Sequence, residues 1–426
     1  MKVVHLSTYY NKGGAAKAHF RIHNQLKQLG VDSQFLVRNS NGSHFEDVQL
    51  LNPKKSRLSR LIERNRSKSL SKELDCYPQR LLPGKELFSD DRTSDKHGFV
   101  RQLKDADIVQ LNWVAGFIDY QSFFKNVNSS RSKVVWRLAD MNPFTGGCHF
   151  SEGCQKFEKS CGSCPTLGSD NDRDLSFEIL RRKVEAMNRL AEEKLTIVCV
   201  SDWMMDNVRR SRVFRKFECK KITTGVNVEL FRPRDKALLR KKHGIAVDKK
   251  VVLFVADRGH IRRRKGWNYV SDICEKLQTQ PTVLTVLIGT DECNLSEADK
   301  ALVLHTGEIG SPKTIAEFYA LADAFVYTGI DDNLPNTVLE AMASGLVVFS
   351  FNTGGVPDVV EDGINGYLFT KGDVGALASK LKDFLVVEDQ DSSISLNARH
   401  RIVESFSAES EGRSYLELYQ TLLGTG

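Results

Sequence analysis

Residues 327–369 read YTGIDDNLPNTVLEAMASGLVVFSFNTGGVPDVVEDGINGYLF, and this stretch decides the fold. The apolar run Ala324–Tyr327 is strand-like, and a polar loop with Asp331, Asp332 and Asn333 follows it. Pro335 suits a first helical turn, where its missing N–H costs nothing. Asn336 or Thr337 can cap a helix that runs to Ser344, and Gly345 stops it. Val347–Phe351 is the next strand. Strand, helix, strand in this order predicts a parallel sheet, and ligands of open parallel sheets sit at the carboxyl ends of the strands. The N–H groups of Asn336, Thr337 and Val338 are therefore placed to bind a phosphate. Glu340, one turn inside the helix, can accept hydrogen bonds from vicinal hydroxyls such as those of a ribose. Asn352-Thr353-Gly354-Gly355 lets backbone approach a ligand closely. A solvated helix acid and turn-shaping glycines would explain each feature alone. They do not explain the order and spacing of all of them.

The same alternation extends outward. Upstream, Val251–Val255 and Val283–Ile288 read as strands of the same sheet. At the other end of the chain, Lys2–Leu6 is a short apolar run, followed by Asn11-Lys12-Gly13-Gly14. Ala15, Ala18, Ile22, Leu26 and Leu29 then repeat at helical spacing, and Gly30 ends the pattern. Gln34–Arg38, Asp107–Leu111, Val134–Leu138 and Leu195–Val200 continue the first series of strands. A strand-like Lys221–Thr224 leads into a hinge near Gly225–Pro233. The expected organisation is a first domain over 1–226 and a second over 227–400. A helical segment at 401–426 is expected to pack back on the first, with Tyr415, Leu418, Tyr419 and Leu422 on one face.

The chain has 426 residues, 61 Lys+Arg against 54 Asp+Glu, and a net charge of +7. That length suits two or three domains. No apolar run reaches the roughly 18–20 residues that span a bilayer, and no long apolar segment follows Met1 as in a secretory signal. The expected location is therefore cytoplasmic. The mild positive charge favours anionic ligands and is too weak to indicate nucleic-acid binding. Lys54–Lys72 carries eight basic residues and a weak apolar stripe of Leu58, Leu61 and Ile62. It reads either as a face lying on the anionic inner surface of a membrane or as a solvated helix.

The stretch 327–369 resembles the donor-binding signature of the retaining glycosyltransferases of family 4. In that signature two acids are separated by seven intervening residues, followed by Ala-Met-Ala-Ser-Gly and Gly-Gly-x-Pro-(Asp/Glu). Here the acids are Asp332 and Glu340, followed by Ala341–Gly345 and Gly354–Asp358. The variant Asp332–Met342 is similar to a branch that builds bacterial surface polysaccharides. The resemblance implies a GT-B fold, with two Rossmann-like doubly wound parallel-sheet domains facing a cleft. It implies transfer of a hexose from a nucleotide diphosphate sugar to a saccharide or lipid-linked acceptor, with no catalytic metal. It places Glu340 on the nucleotide ribose and Asp332, shorter than the usual Glu, on hydroxyls of the transferred sugar. Phe254–Arg258 followed by Lys265-Gly266 resembles the Arg and Lys-Gly pair that holds the diphosphate. Lys265 fits directly, and Arg258 competes with Arg262, Arg263 and Arg264. Gly13-Gly14-Ala15 resembles the glycine-rich loop facing the donor. Val135–Cys148 resembles a region where many relatives carry His-Asp. Ala139 holds the His position here, and Asp140 remains to orient acceptor or sugar, or simply to cap a loop. A non-catalytic sugar- or nucleotide-binding scaffold is the alternative, favoured by Ala139 and Asp332.

Two further patterns bear on metals. Cys148, Cys154, Cys161 and Cys164 lie within seventeen residues, with His149 beside the first. Cys161-x2-Cys164 has zinc-knuckle spacing, so a structural zinc is expected, against free thiols, disulfides or an iron–sulfur cluster. Asp170-x-Asp172-x-Asp174 lacks the Gly and Glu of a calcium loop and reads as a solvated loop.

Overall fold

The computed structural model describes the chain except residues 11, 40–47, 52–55, 95–102, 256–262, 278–279, 281, 290–302, 387–391 and 426. Two compact units form. Met1–Thr223 with Glu411–Gly426 make the first, and Thr224–Ser410 the second.

The first unit holds a seven-stranded sheet, all parallel, in the order β3-β2-β1-β4-β5-β6-β7. The strands are β1 (Lys2–Tyr9), β2 (Asp32–Asn39), β3 (Val48–Leu50), β4 (Ile108–Leu111), β5 (Lys133–Arg137), β6 (Leu195–Cys199) and β7 (Glu218–Lys221). β4 and β6 are buried along their whole length, as continuous apolar runs at the centre of a parallel sheet require. Successive side chains feed opposite faces. Ile108 and Val135 join a cluster with Val3, Ile22 and Leu26, while Val109 and Trp136 join another with Phe124 and Phe214. The helix Gly13–Gln28 buries Ala18, Ile22 and Leu26 at the expected spacing.

The helix Ala408–Leu423 closes one of these faces. From Glu411 on it belongs to the first unit, and Tyr415 and Tyr419, one turn apart, are fully buried there. The Tyr419 hydroxyl donates to Gln110 Oε1 at 2.8 Å. The segment that returns to the first unit thus begins at Glu411 rather than 401. The preceding helix Ser392–Ser405 stays with the second unit, where Arg399 donates to the carbonyls of Val228, Phe231 and Ala343.

The second unit is a six-stranded sheet, again all parallel, in the order β10-β9-β8-β11-β12-β13. Its strands are β8 (Lys250–Val255), β9 (Val283–Ile288), β10 (Val303–His305), β11 (Ala324–Tyr327), β12 (Val347–Phe351) and β13 (Gly366–Phe369). The order reverses between β8 and β11, as it does between β1 and β4 in the first unit. Such reversal points open a crevice at the strands' carboxyl ends.

Local differences from the sequence reading are short-range. β1 continues through Ser7 and Thr8 to Tyr9, and β7 ends at Lys221 where a strand was expected to begin. β3, β10 and β13 are edge strands of three or four residues, without the long apolar run that marks the central ones. Asn11 of the first turn lies outside the described residues.

Candidate active site

The loops after β8 and β11 meet at the reversal point of the second sheet. Lys265 ends a short turn, Arg263–Lys265, that is tied to the end of β11. Ile330 N donates to Arg264 O at 2.8 Å, and Thr328 Oγ1 donates to Lys265 O at 3.3 Å. Gly266 permits this approach. It has φ +68°, and a Cβ on it would lie 1.8 Å from Thr328 O.

Asp332 is the centre of the arrangement. Lys265 Nζ donates to its Oδ2 at 2.5 Å, and Tyr327 OH donates to the same oxygen at 2.8 Å. Arg264 Nη1 lies 3.4 Å away, and Asn333 N donates to Oδ1 at 3.0 Å. Burial alone would push this carboxyl up. Lys265 and Arg264 outweigh burial and hold it far below the usual carboxylate range. The Tyr327 phenol is pushed well above its ordinary value by burial and by Asp332. Arg264 is buried, and of the two competing arginines among the described residues, Arg263 and Arg264, it is the one that lies beside Asp332. Arg258 and Arg262 lie outside the described residues.

The helix Asn336–Ala343 starts one residue earlier than a cap at Asn336 or Thr337 would give. Pro335 is its N-cap, without a side-chain cap hydrogen bond, and Gly345 at φ +77° ends it. Val338 N already donates to Pro335 O at 3.1 Å. The phosphate-binding donors expected at 336–338 therefore reduce to those of Asn336 and Thr337. Glu340 is half-buried, with the buried Tyr319 hydroxyl close behind it. The glycine pair serves a nearer partner than a ligand. Gly354 has φ +56°, and a Cβ there would fall 1.9 Å from Asp332 O, to which Gly355 N donates at 3.2 Å.

In the first unit, β4 and β5 pair in register, Leu111 beside Trp136, so their following loops lie side by side. Asp140 Oδ2 accepts from Trp113 Nε1 at 2.8 Å and sits 2.6 Å from His149 Nδ1. Its Oδ1 accepts from Asn142 N at 3.0 Å. Asp140 thus does cap its own loop, and it also lines a water-sized pocket of about 10 Å³ with Asn112, Trp113, Ala139 and His149. Burial would raise its carboxyl, and His149 with these donors holds it below the ordinary range instead. The far side of the imidazole meets Ser89 Oγ at 2.9 Å. Asn112 Nδ2 donates to Ala15 O, and Arg137 Nη1 donates to Asn112 Oδ1. This anchors the start of the Gly13-Gly14 helix to the end of β4. Gly13 has φ +80° and, with Gly14, is exposed. The sequence pointed at Asp140 and at His149 separately. Only pairing β4 with β5 brings Trp113 to them.

Among the described residues no group of three or more His, Cys, Asp or Glu could hold a metal ion, and Cys148, Cys154, Cys161 and Cys164 are free. Burial pushes the Cys148 thiol well up and the Cys161 thiol to about 12. Hydrogen bonds tie the loop down. Lys183 Nζ donates to the carbonyls of Asn142 and Thr145, and Cys164 N donates to Asp174. Asp174 is likewise not solvated. It is buried, and it caps the helix Leu175–Asn188 through Ser176 N and Phe177 N.

Residues 235–401, most of the second unit, match the family model described as glycosyl transferases group 1. The chain carries a group 1 glycosyl transferase domain. Among curated proteins, N-acetyl-alpha-D-glucosaminyl L-malate synthase of Bacillus anthracis is 24% identical over 205 residues, 46% of this chain. The match spans about half of that relative, 52% of its length. Among solved structures, sucrose-phosphate synthase of Thermosynechococcus elongatus superposes with a TM-score of 0.68 at 15% identity, over 100% of both chains. HepE of Anabaena in complex with UDP gives 0.66 at 17% identity, over 99% of this chain and 100% of that one. The group 1 domain and the sheet preceding it thus have the GT-B fold.

Proposed function

We propose that the chain is a retaining glycosyltransferase. It moves a hexose from a nucleotide diphosphate sugar to a saccharide or lipid-linked glycan in polysaccharide assembly. One observation carries this reading. Lys265 and Asp332, 67 positions apart in sequence, meet at the reversal point of the sheet inside the group 1 domain, and Glu340 stands on the helix that follows. HepE, solved with UDP and with UDP-glucose, supports a nucleotide-sugar donor.

Each residue then has a physical task. The diphosphate gains negative charge as the sugar–phosphate bond breaks. Lys265, with Arg258 in the resemblance, and the N–H groups of Asn336 and Thr337 stabilise that charge more in the transition state than before it. Glu340 takes the ribose hydroxyls and Asp332 the sugar's. The leaving phosphate accepts the acceptor's proton on the same face as attack, so retention needs no protein base. Asp140, fixed by three donors and kept ionised, orients the acceptor or the sugar. No divalent ion enters this scheme.

Location follows the same reading. We propose that the helix Arg57–Asp75 rests on an anionic membrane surface inside the cell. It buries no residue, and it exposes Leu58, Leu61 and Ile62 beside Arg57, Arg60, Arg64 and Lys68. No described helix is long and apolar enough to cross a membrane.

The deciding experiment is calorimetric titration with UDP, GDP, ADP and their common sugar conjugates in EDTA. Saturable binding of one diphosphate is expected, at least tenfold weaker in Glu340→Ala and in Lys265→Ala. A folded protein that binds none of them is the scaffold that Ala139 suggests.

A further inference from the structure

Four donors converge on one carboxylate at the end of β11. Asn333 N holds Oδ1 of Asp332, and Lys265 Nζ and Tyr327 OH hold Oδ2, with Arg264 Nη1 3.4 Å from it. In the reading above, Lys265 belongs to the diphosphate and Asp332 to the sugar. In the structure the two are engaged with each other. A diphosphate carries more charge than one carboxylate and offers more acceptor oxygens, so it competes for Lys265. Once Lys265 turns to it, Oδ2 loses its nearest cationic donor, Arg264 stays at 3.4 Å, and the short side chain on a polar loop is held less tightly.

Tyr327 prevents that. It is the last residue of β11, so it sits on the sheet and not on the loop, and its ring is buried. Its hydroxyl reaches Oδ2 past Gly329, where a Cβ would lie 2.2 Å from the phenol oxygen. The backbone of Asp332 is held from the other side by Gly354 and Gly355. A neutral hydroxyl that donates once leaves Oδ2 with a lone pair for a sugar hydroxyl.

We propose that Tyr327 positions Asp332 for the donor sugar, and that Lys265 holds the carboxylate only until a diphosphate takes the lysine. The proposal rests on the donor-binding reading above. It makes recognition of the two halves of the donor sequential: the diphosphate releases the acid that the sugar needs. No bond is made or broken in this exchange, only hydrogen bonds and one ion pair.

The test is calorimetry on the full chain with UDP and UDP-glucose, and in parallel with GDP and GDP-mannose and with ADP and ADP-glucose. The readout is the ratio of the Kd for the bare diphosphate to the Kd for its sugar conjugate. Tyr327→Phe keeps the ring and removes only the hydroxyl. Diphosphate binding is expected within about twofold of wild type, while the ratio falls about tenfold, the size of one hydrogen bond to a charged group. In Lys265→Met the diphosphate binds more weakly but the ratio persists, because Tyr327 still holds Asp332. This arm stands even where the Phe variant does not fold. Asp332→Asn tightens diphosphate binding by releasing Lys265, and by more than Asp331→Asn, which makes the same change of charge beside it. A ratio unchanged in Tyr327→Phe, or lost in Lys265→Met, overturns Tyr327 as the positioning residue. So does a wild-type ratio of one. Diphosphate binding no tighter in Asp332→Asn than in Asp331→Asn overturns the exchange of Lys265. Wild type that binds none of the six overturns the donor reading itself, and does so before any variant is compared.

Discussion

Gly354 shows how much one residue can carry without touching a ligand. Its positive φ and the 1.9 Å between a hypothetical Cβ and Asp332 O leave no side chain a place there. Gly354→Ala would meet both penalties at once, a left-handed backbone and a backbone clash. The strain alone costs on the order of 1–3 kcal/mol. The expected result is a lower melting temperature together with weaker binding of the sugar conjugate, because the loop that presents Asp332 must shift. A variant with wild-type melting and wild-type nucleotide binding would show that the loop relaxes freely. The sequence reading saw that this glycine pair serves close approach, and assigned the approach to a ligand. Spacing reveals that backbone must come near something. It does not reveal that the something is a carbonyl 22 positions upstream. The Lys265–Asp332 pair was hidden for the same reason, since both residues were assigned to absent ligands and neither to the other.

Among the elements, the strands at the centre of each sheet were legible and those at the edges were not. A central parallel strand is buried on both faces, so its sequence is a continuous apolar run, as in Leu195–Cys199. An edge strand such as Val303–His305 is half-exposed and three residues long, and leaves no periodic trace. The helix Arg57–Asp75 is the opposite case, an element whose pattern is plain but whose apolar stripe of Leu58, Leu61 and Ile62 is left exposed by the fold, although Arg66, Glu73 and Leu74 reach partners in it. Its stripe of Arg57, Arg60, Arg64 and Lys68 runs beside exposed leucines, a composition that gains from an anionic surface at about 1 kcal/mol per basic residue at low salt. The protein should therefore sediment with vesicles containing phosphatidylglycerol and not with neutral ones. The double variant Arg57→Glu with Arg64→Glu should release it, as should raised salt. Equal sedimentation of both proteins would leave the helix as a solvated one.

For the whole molecule, one part of the response to pH is set inside the first unit, by a pair of buried imidazoles. His5 and His19 share a hydrogen bond of 2.9 Å and are fully buried beside His23 and Phe35. Burial lowers both imidazoles well below 6.5, reinforced at His5 by His19 and at His19 by Arg137. Both are neutral in the fold, so the unfolded chain binds more protons once the pH drops below about 6.5. Stability is then full above that value and declines below it, approaching about 1.4 kcal/mol per pH unit for each imidazole. Urea midpoints measured between pH 7.5 and 5 should fall accordingly, and His19→Phe should roughly halve the slope. A flat profile would mean that these rings are hydrated. The depressed Asp332 contributes in a separate window, with stability that is lost only below about pH 4. The first unit is also discontinuous in the chain, and its last piece, from Glu411 on, covers Val3, Ile22 and Ile108 and bonds Gln110. During synthesis the second unit can therefore fold while the first still waits, its apolar face open and the Gln110 carbonyl without its tyrosine. A ribosome that stalls before Glu411 would release a chain in which the unit made first is the one left unfinished, and that face is where a chaperone would bind.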